Sequence, residues 1–284
     1  MTHAALTAGN VAVVTGGASG IGLAAAGRFA RLGMTVCIAD LGADRLARAE
    51  DAVRRQMAGN PASVSSVETD VSRLDDLQRL EEIVRVRFGG TQVLMNNAGI
   101  APATRALGPL EQWQRIFSVN LWGVILGTQV FVPAMLQQHR PGLVINTCSK
   151  QGITTPPGNP AYNVTKAGVK TYTEALQDEL RNTPGCLLTA HLLIPGFVFT
   201  GLTTGTAAGK PSGAWTAEQT VDFMLQRLEA GDFYILCPDN DVDRKLDELR
   251  IAWAAGDLIE NRPPLSRWHP EYADAFRRFI EDSK

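Results

Sequence analysis

The sequence lacks a surplus of either charge, and it has no long basic run. Its 284 residues include 27 Lys and Arg against 29 Asp and Glu, so the formal net charge is −2 at neutral pH. Proteins that bind nucleic acids or anionic membrane surfaces usually carry clustered positive charge. We therefore expect neither a nucleic acid nor a membrane as a partner of this chain.

Cysteine is scarce and is not arranged for metal binding. The four cysteines are scattered, and no Cys/His spacing typical of a metal site occurs. Three of them lie in or beside apolar runs that predict strands, which favours free, buried thiols in a reducing compartment. The sequence thus predicts no disulfide framework and no metal. The four cysteines are Cys37, Cys148, Cys186 and Cys237.

Signals for export or membrane insertion are also missing from the pattern. The N-terminal residues MTHAALTAGN have neither the basic start nor the apolar core of a signal peptide. No apolar stretch is expected to approach the length of a membrane span. We expect a cytoplasmic protein.

What the sequence does contain is an alternation of short β-branched runs with longer helical stretches. This alternation predicts βαβ units, a single Rossmann-type doubly wound parallel sheet and helices on both faces. No composition break interrupts residues 1–240, which we interpret as one dinucleotide-binding and catalytic domain. Residues 241–284 predict a C-terminal helical extension, packed on the same or a neighbouring subunit. The predicted strands are Val11–Val14, Thr35–Ala39, Val64–Glu68, Gln92–Met95, Leu143–Asn146, Leu187–Ile194 and Phe233–Leu236. The predicted helices are Gly20–Leu32, Ala43–Ala58, Arg73–Phe88, Glu111–His139, Ala161–Arg181, Ala217–Glu229, Asp241–Ala254 and Pro270–Glu281.

A glycine-rich turn follows the first predicted strand and opens the first predicted helix. Glycine lets the backbone approach a ligand closely, and the helix N-terminus offers free N–H groups to a pyrophosphate. A tight strand–helix turn without a ligand is the alternative, which the position after the first strand makes much weaker. The turn predicts a dinucleotide site formed by Gly16, Ala18, Ser19, Gly20, Ile21 and Gly22.

The second predicted strand ends next to Asp40 and Leu41. A carboxylate at this position accepts from the ribose hydroxyls of NAD and repels the additional phosphate of NADP. No Arg or Lys lies within the glycine turn to bind that phosphate. The alternative is that Asp40 only caps the following helix. The sequence predicts NAD as the cofactor, with NADP disfavoured.

With further motifs in the same order, the chain resembles the short-chain dehydrogenase/reductase family over about residues 8–240. The resemblance implies that Asp70 and Val71 flank the adenine and that Asn97, Ala98 and Gly99 close the fourth strand over the cofactor. It also implies a nicotinamide end held by Pro195, Gly196, Val198 and Thr200. The sequence departs from the family pattern at two places beside Ser149. Cys148 stands where the family often has a serine, and Lys150-Gln151 stand where small residues are more usual. Both departures are expected to affect the shape of the pocket. The motifs after the glycine turn are Asp70-Val71, Asn96-Asn97-Ala98-Gly99, Asn120, Ser149, Tyr162-x-x-x-Lys166 and Pro195-Gly196.

Three of these residues have the properties needed to reduce a carbonyl or oxidise an alcohol. Tyr162 and Lys166 are four residues apart, so they share a helix face, and the lysine charge is expected to lower the pKa of the tyrosine. A base poised near the working pH suits general acid–base catalysis. Ser149 follows a strand end and can donate to the substrate oxygen. By the resemblance, Asn120 holds a water that connects Lys166 to solvent.

The prediction is therefore an oxidoreductase that transfers a hydride between NAD(H) and a small-molecule secondary alcohol or ketone. The remaining alternatives are a nucleotide-sensing scaffold without turnover and a dehydratase or epimerase that recycles its nicotinamide. The resemblance also implies a homodimer or homotetramer. The substrate pocket is expected to be lined by a lid over Phe197–Ser212 and by the residues Gln151, Ile153, Thr154, Thr155, Pro156, Pro157 and Asn159.

Overall fold

The computed structural model describes residues 3–57, 64–205 and 209–283. Within these residues seven strands form one parallel sheet in the order β3-β2-β1-β4-β5-β6-β7. The order reverses between β1 and β4, as in the predicted doubly wound fold, which is confirmed. The strands are β1 (Val11–Thr15), β2 (Thr35–Asp40), β3 (Val64–Glu68), β4 (Val93–Asn96), β5 (Gly142–Thr147), β6 (Leu188–Ile194) and β7 (Tyr234–Leu236).

Helices cover both faces of this sheet, which explains why its central strands are mainly apolar. All residues of β1 and β5 are buried, as expected for parallel strands with helices on each side. All four cysteines are free thiols, and three are buried, as predicted. The helices are α1 (Gly20–Arg31), α2 (Ala43–Arg54), α3 (Leu74–Phe88), α4 (Leu110–Phe117), α5 (Gly123–Gln137), α6 (Gln151–Thr154), α7 (Pro160–Asn182), α8 (Gly201–Thr204), α9 (Ala217–Glu229), α10 (Arg244–Ile259) and α11 (Ala273–Asp282).

The fourth predicted helix is interrupted by a different hydrogen-bond pattern. A π-helical segment, Ser118–Trp122, joins α4 to α5, so the helical run extends over Leu110–Gln137. Among the described residues this 28-residue run is long and apolar enough to cross a membrane. The prediction that no stretch approaches that length is therefore wrong. Core helices of soluble proteins have the same property, and Val124 and Phe131 of α5 are buried against the rest of the molecule.

Other boundaries differ in smaller ways. The second helix ends at Arg54, and the predicted end at Ala58 lies outside the described residues. The predicted lid contains one helical turn, α8, whose start at Thr200 has a capping box with Thr203. Helix α10 begins after Asp243 because the Asp243 carboxylate accepts a hydrogen bond from the Leu246 N–H at 2.8 Å.

The C-terminal extension packs on its own chain around Trp253 of α10. The indole N–H of Trp253 donates to the Ser266 hydroxyl at 2.7 Å, and the rings of Phe276 and Phe279 lie 5.3 Å from the indole. Helix α10 in turn contacts α6, which directly follows Ser149. The extension therefore lies next to the strand end where the predicted active site begins.

Candidate active site

A cleft of about 700 Å³ opens at the carboxyl ends of the strands, where the strand order reverses between β1 and β4. Ligands of open α/β sheets bind at such a point. The cleft brings together most residues that the sequence predicts for the site. Those that line it are Gly16, Ser19, Gly20, Ile21, Asp40, Leu41, Asp70, Val71, Asn97, Ala98, Gly99, Ser149, Tyr162, Lys166, Pro195, Gly196, Val198 and Thr200.

The glycine turn is shaped for a ligand that approaches the backbone. Gly16 has φ +63°, and a Cβ there would lie 2.7 Å from the Cα of Ala98. A Cβ on Gly22 would lie 2.3 Å from the carbonyl oxygen of Gly16, so Gly22 packs beneath the turn instead of lining the cleft. In the described first turn of α1 there is no acidic residue and no side-chain cap. The free N–H groups and the helix dipole therefore fit an anionic pyrophosphate.

Asp40 lies at the end of β2 and is held by three donors. One carboxylate oxygen accepts from the Ala18 N–H at 3.0 Å, and the other accepts from the Leu41 N–H at 2.7 Å. Arg45, in α2, donates to the second oxygen at 2.9 Å. Ala18 thus supports Asp40 and does not line the cleft. Arg45 lies outside the glycine turn, so the motif itself gives no sign of this positive charge beside Asp40.

The ends of β3 and β4 form the adjoining wall. The Thr15 hydroxyl accepts from the Asn97 N–H at 3.0 Å, which ties the end of β4 to the glycine turn. Asp70 accepts from the N–H and the hydroxyl of Ser72, at 2.9 and 2.7 Å, and these bonds stabilise the turn after β3. The ends of β3 and β4 are therefore both held in place by hydrogen bonds within the protein.

Ser149, Tyr162 and Lys166 meet on the other side of the cleft. Ser149 follows β5, and α7 begins at Pro160, so Tyr162 and Lys166 lie one helical turn apart on its buried face. The Lys166 ammonium donates to the Thr147 carbonyl at 2.8 Å and lies 5.7 Å from the centroid of the Tyr162 ring. The Ser149 hydroxyl is a hydrogen-bonding partner of the Tyr162 hydroxyl.

Burial determines the ionisation of this pair. It raises the pKa of Tyr162 to about 12, against the opposing effect of the Ser149 hydrogen bond. Burial also lowers the pKa of Lys166 to about 8, so the lysine loses its charge before the tyrosine ionises. Burial is the largest influence on Tyr162, and the lowering of its pKa by the charge of Lys166 stays a prediction.

Asn120 lies in the π-helical segment behind the cleft and is fully buried. Its side-chain carbonyl accepts from the Ile100 N–H at 2.8 Å, and its amide donates to the Ile100 carbonyl at 2.8 Å. Asn120 therefore fixes the backbone that follows Gly99, and it does not line the cleft. Its role in holding a water stays a prediction.

Lys150 has two carboxylate partners that the sequence analysis did not find. Its ammonium lies 3.2 Å from Asp239 and 2.6 Å from Asp247 of α10. Asp239 also accepts from the Phe197 N–H at 3.0 Å. A Cβ on Gly196 would meet both Asp239 and Lys150 within 3 Å. This ion cluster joins the segment after Ser149, the Pro195-Gly196 turn and the C-terminal extension.

The predicted substrate pocket is only partly correct. Gln151, Asn159 and the lid residues Phe197–Thr203, apart from Phe199, line the cleft. Lys210 is bound to the backbone, donating to the Ala214 carbonyl at 2.6 Å. Residues 206–208 of the lid lie outside the described residues. Three predicted residues line a second cavity instead, because α6 turns them away from Ser149: Ile153, Thr154 and Thr155.

Comparisons with known proteins agree with this geometry. A family model described as short chain dehydrogenase matches residues 10–210. The chain is 31% identical over 263 residues to the 1-deoxy-11-beta-hydroxypentalenate dehydrogenase of Streptomyces exfoliatus, covering 90% of this chain and 93% of that relative. It is 36% identical over 200 residues to a 3-oxoacyl-[acyl-carrier-protein] reductase of Synechocystis, covering 70% and 78%. A short chain dehydrogenase/reductase from Burkholderia phymatum, solved in complex with NAD, superposes with a TM-score of 0.81 at 30% identity and covers 93% of this chain and 98% of that one.

Proposed function

The chain belongs to the short-chain dehydrogenase/reductase family of oxidoreductases, and from this premise we propose that it transfers a hydride between NAD(H) and a secondary alcohol or ketone. The observation that carries the proposal is the convergence of Ser149, Tyr162 and Lys166 on the cleft that contains the glycine turn. A binding module that only senses nucleotides has no need of a buried tyrosine, a buried lysine and a half-buried serine around one point.

The residues present fit a nicotinamide dinucleotide. The free N–H groups at the start of α1, which follow the glycine turn, suit the pyrophosphate. Asp40 is placed to accept from a ribose hydroxyl, and its negative charge disfavours an additional phosphate, which supports NAD over NADP. Asp70 and Val71 are assigned to the adenine, and Pro195, Gly196, Val198 and Thr200 to the nicotinamide end. When bound, the nicotinamide supplies or accepts the hydride and, when oxidised, carries a positive charge.

The proton chemistry is assigned to the chain's own side chains. In the reducing direction the neutral Tyr162 hydroxyl donates a proton to the substrate oxygen, and burial keeps this hydroxyl protonated at neutral pH. Ser149 donates a hydrogen bond that orients the same oxygen. In the oxidising direction Tyr162 takes the alcohol proton, which requires its pKa to fall. Lys166 is assigned to this step: its ammonium lies 5.7 Å from the centroid of the Tyr162 ring, and while it is charged it favours the phenolate.

The substrate is assigned to the class of mainly apolar alcohols and ketones. The lid residues Phe197, Val198 and Leu202 face the cleft, and Lys210 of the lid is engaged by backbone carbonyls. The relatives' names agree with this class, since one includes a hydroxyl group and the other a 3-oxo group. We further propose a cytoplasmic homo-oligomer whose partner is this small molecule. The free cysteines suit a reducing compartment.

An assay of hydride transfer tests the proposal. The protein is incubated with NAD or NADP and a panel of secondary alcohols, and in the reverse direction with NADH or NADPH and the matching ketones. We expect turnover with NAD(H) on at least one apolar pair. Tight NADH binding without turnover on any member of a broad panel would favour the nucleotide-sensing alternative.

A further inference from the structure

A second cavity of about 390 Å³ lies between α6 and the C-terminal extension, which we call the tail cleft. It is formed by Ile153–Thr155 on one side and by α10 and the segment 264–268 on the other. Helix α6 separates it from Ser149. Its volume is within the range of small-molecule sites, about 300–1,000 Å³.

Two arginines, Arg250 and Arg267, line the tail cleft, and among the described residues neither forms an ion pair within 4 Å of a carboxylate. Arg250 of α10 has a buried Nε with no hydrogen-bond acceptor among the described residues. Arg267 lies with its guanidinium 4.7 Å from the ring of Trp268 and 5.5 Å from that of Phe276. Burial, and after it the charge of Arg250, lower the pKa of Arg267 to about 10, against the opposing charge of Asp247. The two cations therefore face one cavity.

The carboxylates near the tail cleft are engaged by other cations. Asp247, one helical turn before Arg250, is 2.6 Å from the Lys150 ammonium. Asp257 accepts from the Arg262 guanidinium at 3.0 Å and from the Ser266 N–H at 3.1 Å. A buried guanidinium N–H without an acceptor is costly, and a carboxylate is the acceptor that matches the planar geometry of arginine.

Most of the other residues that line the tail cleft are apolar. Ile153, Ile251 and Trp253 lie inside, and Leu265 and Trp268 are each 38% exposed at its rim. An occupant must therefore be an anion with an apolar body, not a phosphate or another fully hydrated ion. We propose that the tail cleft binds the carboxylate of a small, mainly apolar organic acid, at a site distinct from the cofactor cleft.

Isothermal titration calorimetry with 1-naphthoate tests this proposal, with the neutral 1-naphthamide as the matched ligand. Titrations use the full chain with and without saturating NADH. We expect the acid to bind in both conditions and the amide to bind at least about tenfold more weakly, since hydrogen bonds to a charged group are the stronger ones. Equal binding of acid and amide, or displacement of the acid by NADH, would overturn the proposal.

Variants locate the site. Arg250→Met and Arg267→Met are each expected to raise the dissociation constant of 1-naphthoate by about tenfold or more. Arg244→Met is the control, since Arg244 lies on the same helix in an exposed pair with Glu248. If Arg250→Met does not fold, Arg250→Lys keeps the charge, loses the planar fork and is expected to bind more weakly than wild type. NADH affinity reports that each variant is folded.

Two results contradict the assignment. One is acid binding by the double variant Arg250→Met/Arg267→Met that equals that of the wild type. The other is a pair of observations: the wild-type protein does not bind 1-naphthoate, and the particle mass of the double variant in light scattering differs from that of the wild type. In that case the arginines hold a carboxylate of a second copy of the chain.

Discussion

Asp40 already has three donors within the protein, and one of them, Arg45, is held near it by charge. If the carboxylate is removed, Arg45 keeps its hydrogen bonds to the Leu41 carbonyl but loses its carboxylate partner beside the cleft, and its charge becomes available to a 2′-phosphate of NADP. Asp40→Ala is therefore expected to weaken NADH binding and strengthen NADPH binding. The ratio of the NADH affinity to the NADPH affinity should fall by about tenfold or more. Fluorescence titration of both nucleotides measures this.

The double variant Asp40→Ala/Arg45→Met separates the two effects. It is expected to lose the gain in NADPH affinity and keep the loss in NADH affinity. NADPH that binds the wild-type protein more tightly than NADH would contradict the assignment of Asp40.

The ionisation of Tyr162 predicts different pH dependences for the two directions of the reaction. Burial raises the pKa of Tyr162, so its neutral form predominates at neutral pH and the phenolate becomes populated only as the pH rises. From about pH 6 to about pH 9, alcohol oxidation, which needs the phenolate, is expected to accelerate, and ketone reduction, which needs the neutral hydroxyl, is expected to stay nearly constant. Initial rates at saturating cofactor measure both. Parallel pH profiles in the two directions would contradict Tyr162 as the proton-transfer group.

Single residues whose positions depend on local spacing were predictable from the sequence. The separation of Tyr162 and Lys166 by four positions is enough to place them on one helix face. The partners of Asp40 and Lys150 were not predictable in this way. Asp239 and Asp247 reach Lys150 only because the chain returns to the same strand end about ninety residues later. The pKa values were also missed, because burial is a property of the fold.

At the scale of elements, Lys150 links the end of β5 to α10. Lys150→Met leaves Asp239 and Asp247 close together and without their cation, in a site where both side chains are only 6% exposed. Breaking a buried ion pair from one side costs roughly 3–5 kcal/mol, and we expect a loss toward the lower end because Lys150 is 18% exposed. Urea unfolding measures the change in the free energy of unfolding.

The dependence on pH makes this prediction specific. Burial raises the pKa of Asp247 above its usual value. Protonation in the acid range therefore relieves the repulsion, and the destabilisation of Lys150→Met is expected to shrink as the pH falls. Lys170→Met is the control, because its pair with Glu174 is partly exposed and worth at most about 1 kcal/mol. A loss for Lys150→Met no larger than that control would contradict the linking role.

Element types were largely predictable, and element interiors were not. The strand and helix order follows from hydrophobic period and glycine turns, as the positions of β1 and α1 illustrate. The π-helical segment Ser118–Trp122 has only five residues, too few to show a hydrophobic period that would distinguish it from the α-helices on either side. It is accompanied by tertiary hydrogen bonds between Asn120 and Ile100, which no local pattern records.

At the scale of the whole molecule, two helices expose apolar residues to solvent. Trp122, at the end of the π-helical segment, is 53% exposed, and Val164 of α7 is 47% exposed. Such residues are expected in the contact of a closed homo-oligomer. Light scattering should therefore give a particle mass that is a multiple of the 30.6 kDa chain mass. The substitution Val164→Glu should lower that particle mass. Leu107→Glu, at a fully exposed loop residue, is the control that should not. A wild-type protein that is monomeric at micromolar concentration would contradict this prediction.

The most direct test of hydride transfer with Tyr162 as the acid/base compares Tyr162→Phe with Tyr172→Phe. Both substitutions remove one hydroxyl from α7, but the cleft is lined by Tyr162 and not by Tyr172. Turnover is measured by NADH formation on an alcohol that the wild type oxidises, with NADH affinity determined in parallel. Tyr162→Phe is expected to keep NADH binding and lose turnover by about 10²–10⁴-fold, and Tyr172→Phe to keep both. Near-normal turnover by Tyr162→Phe would contradict the account.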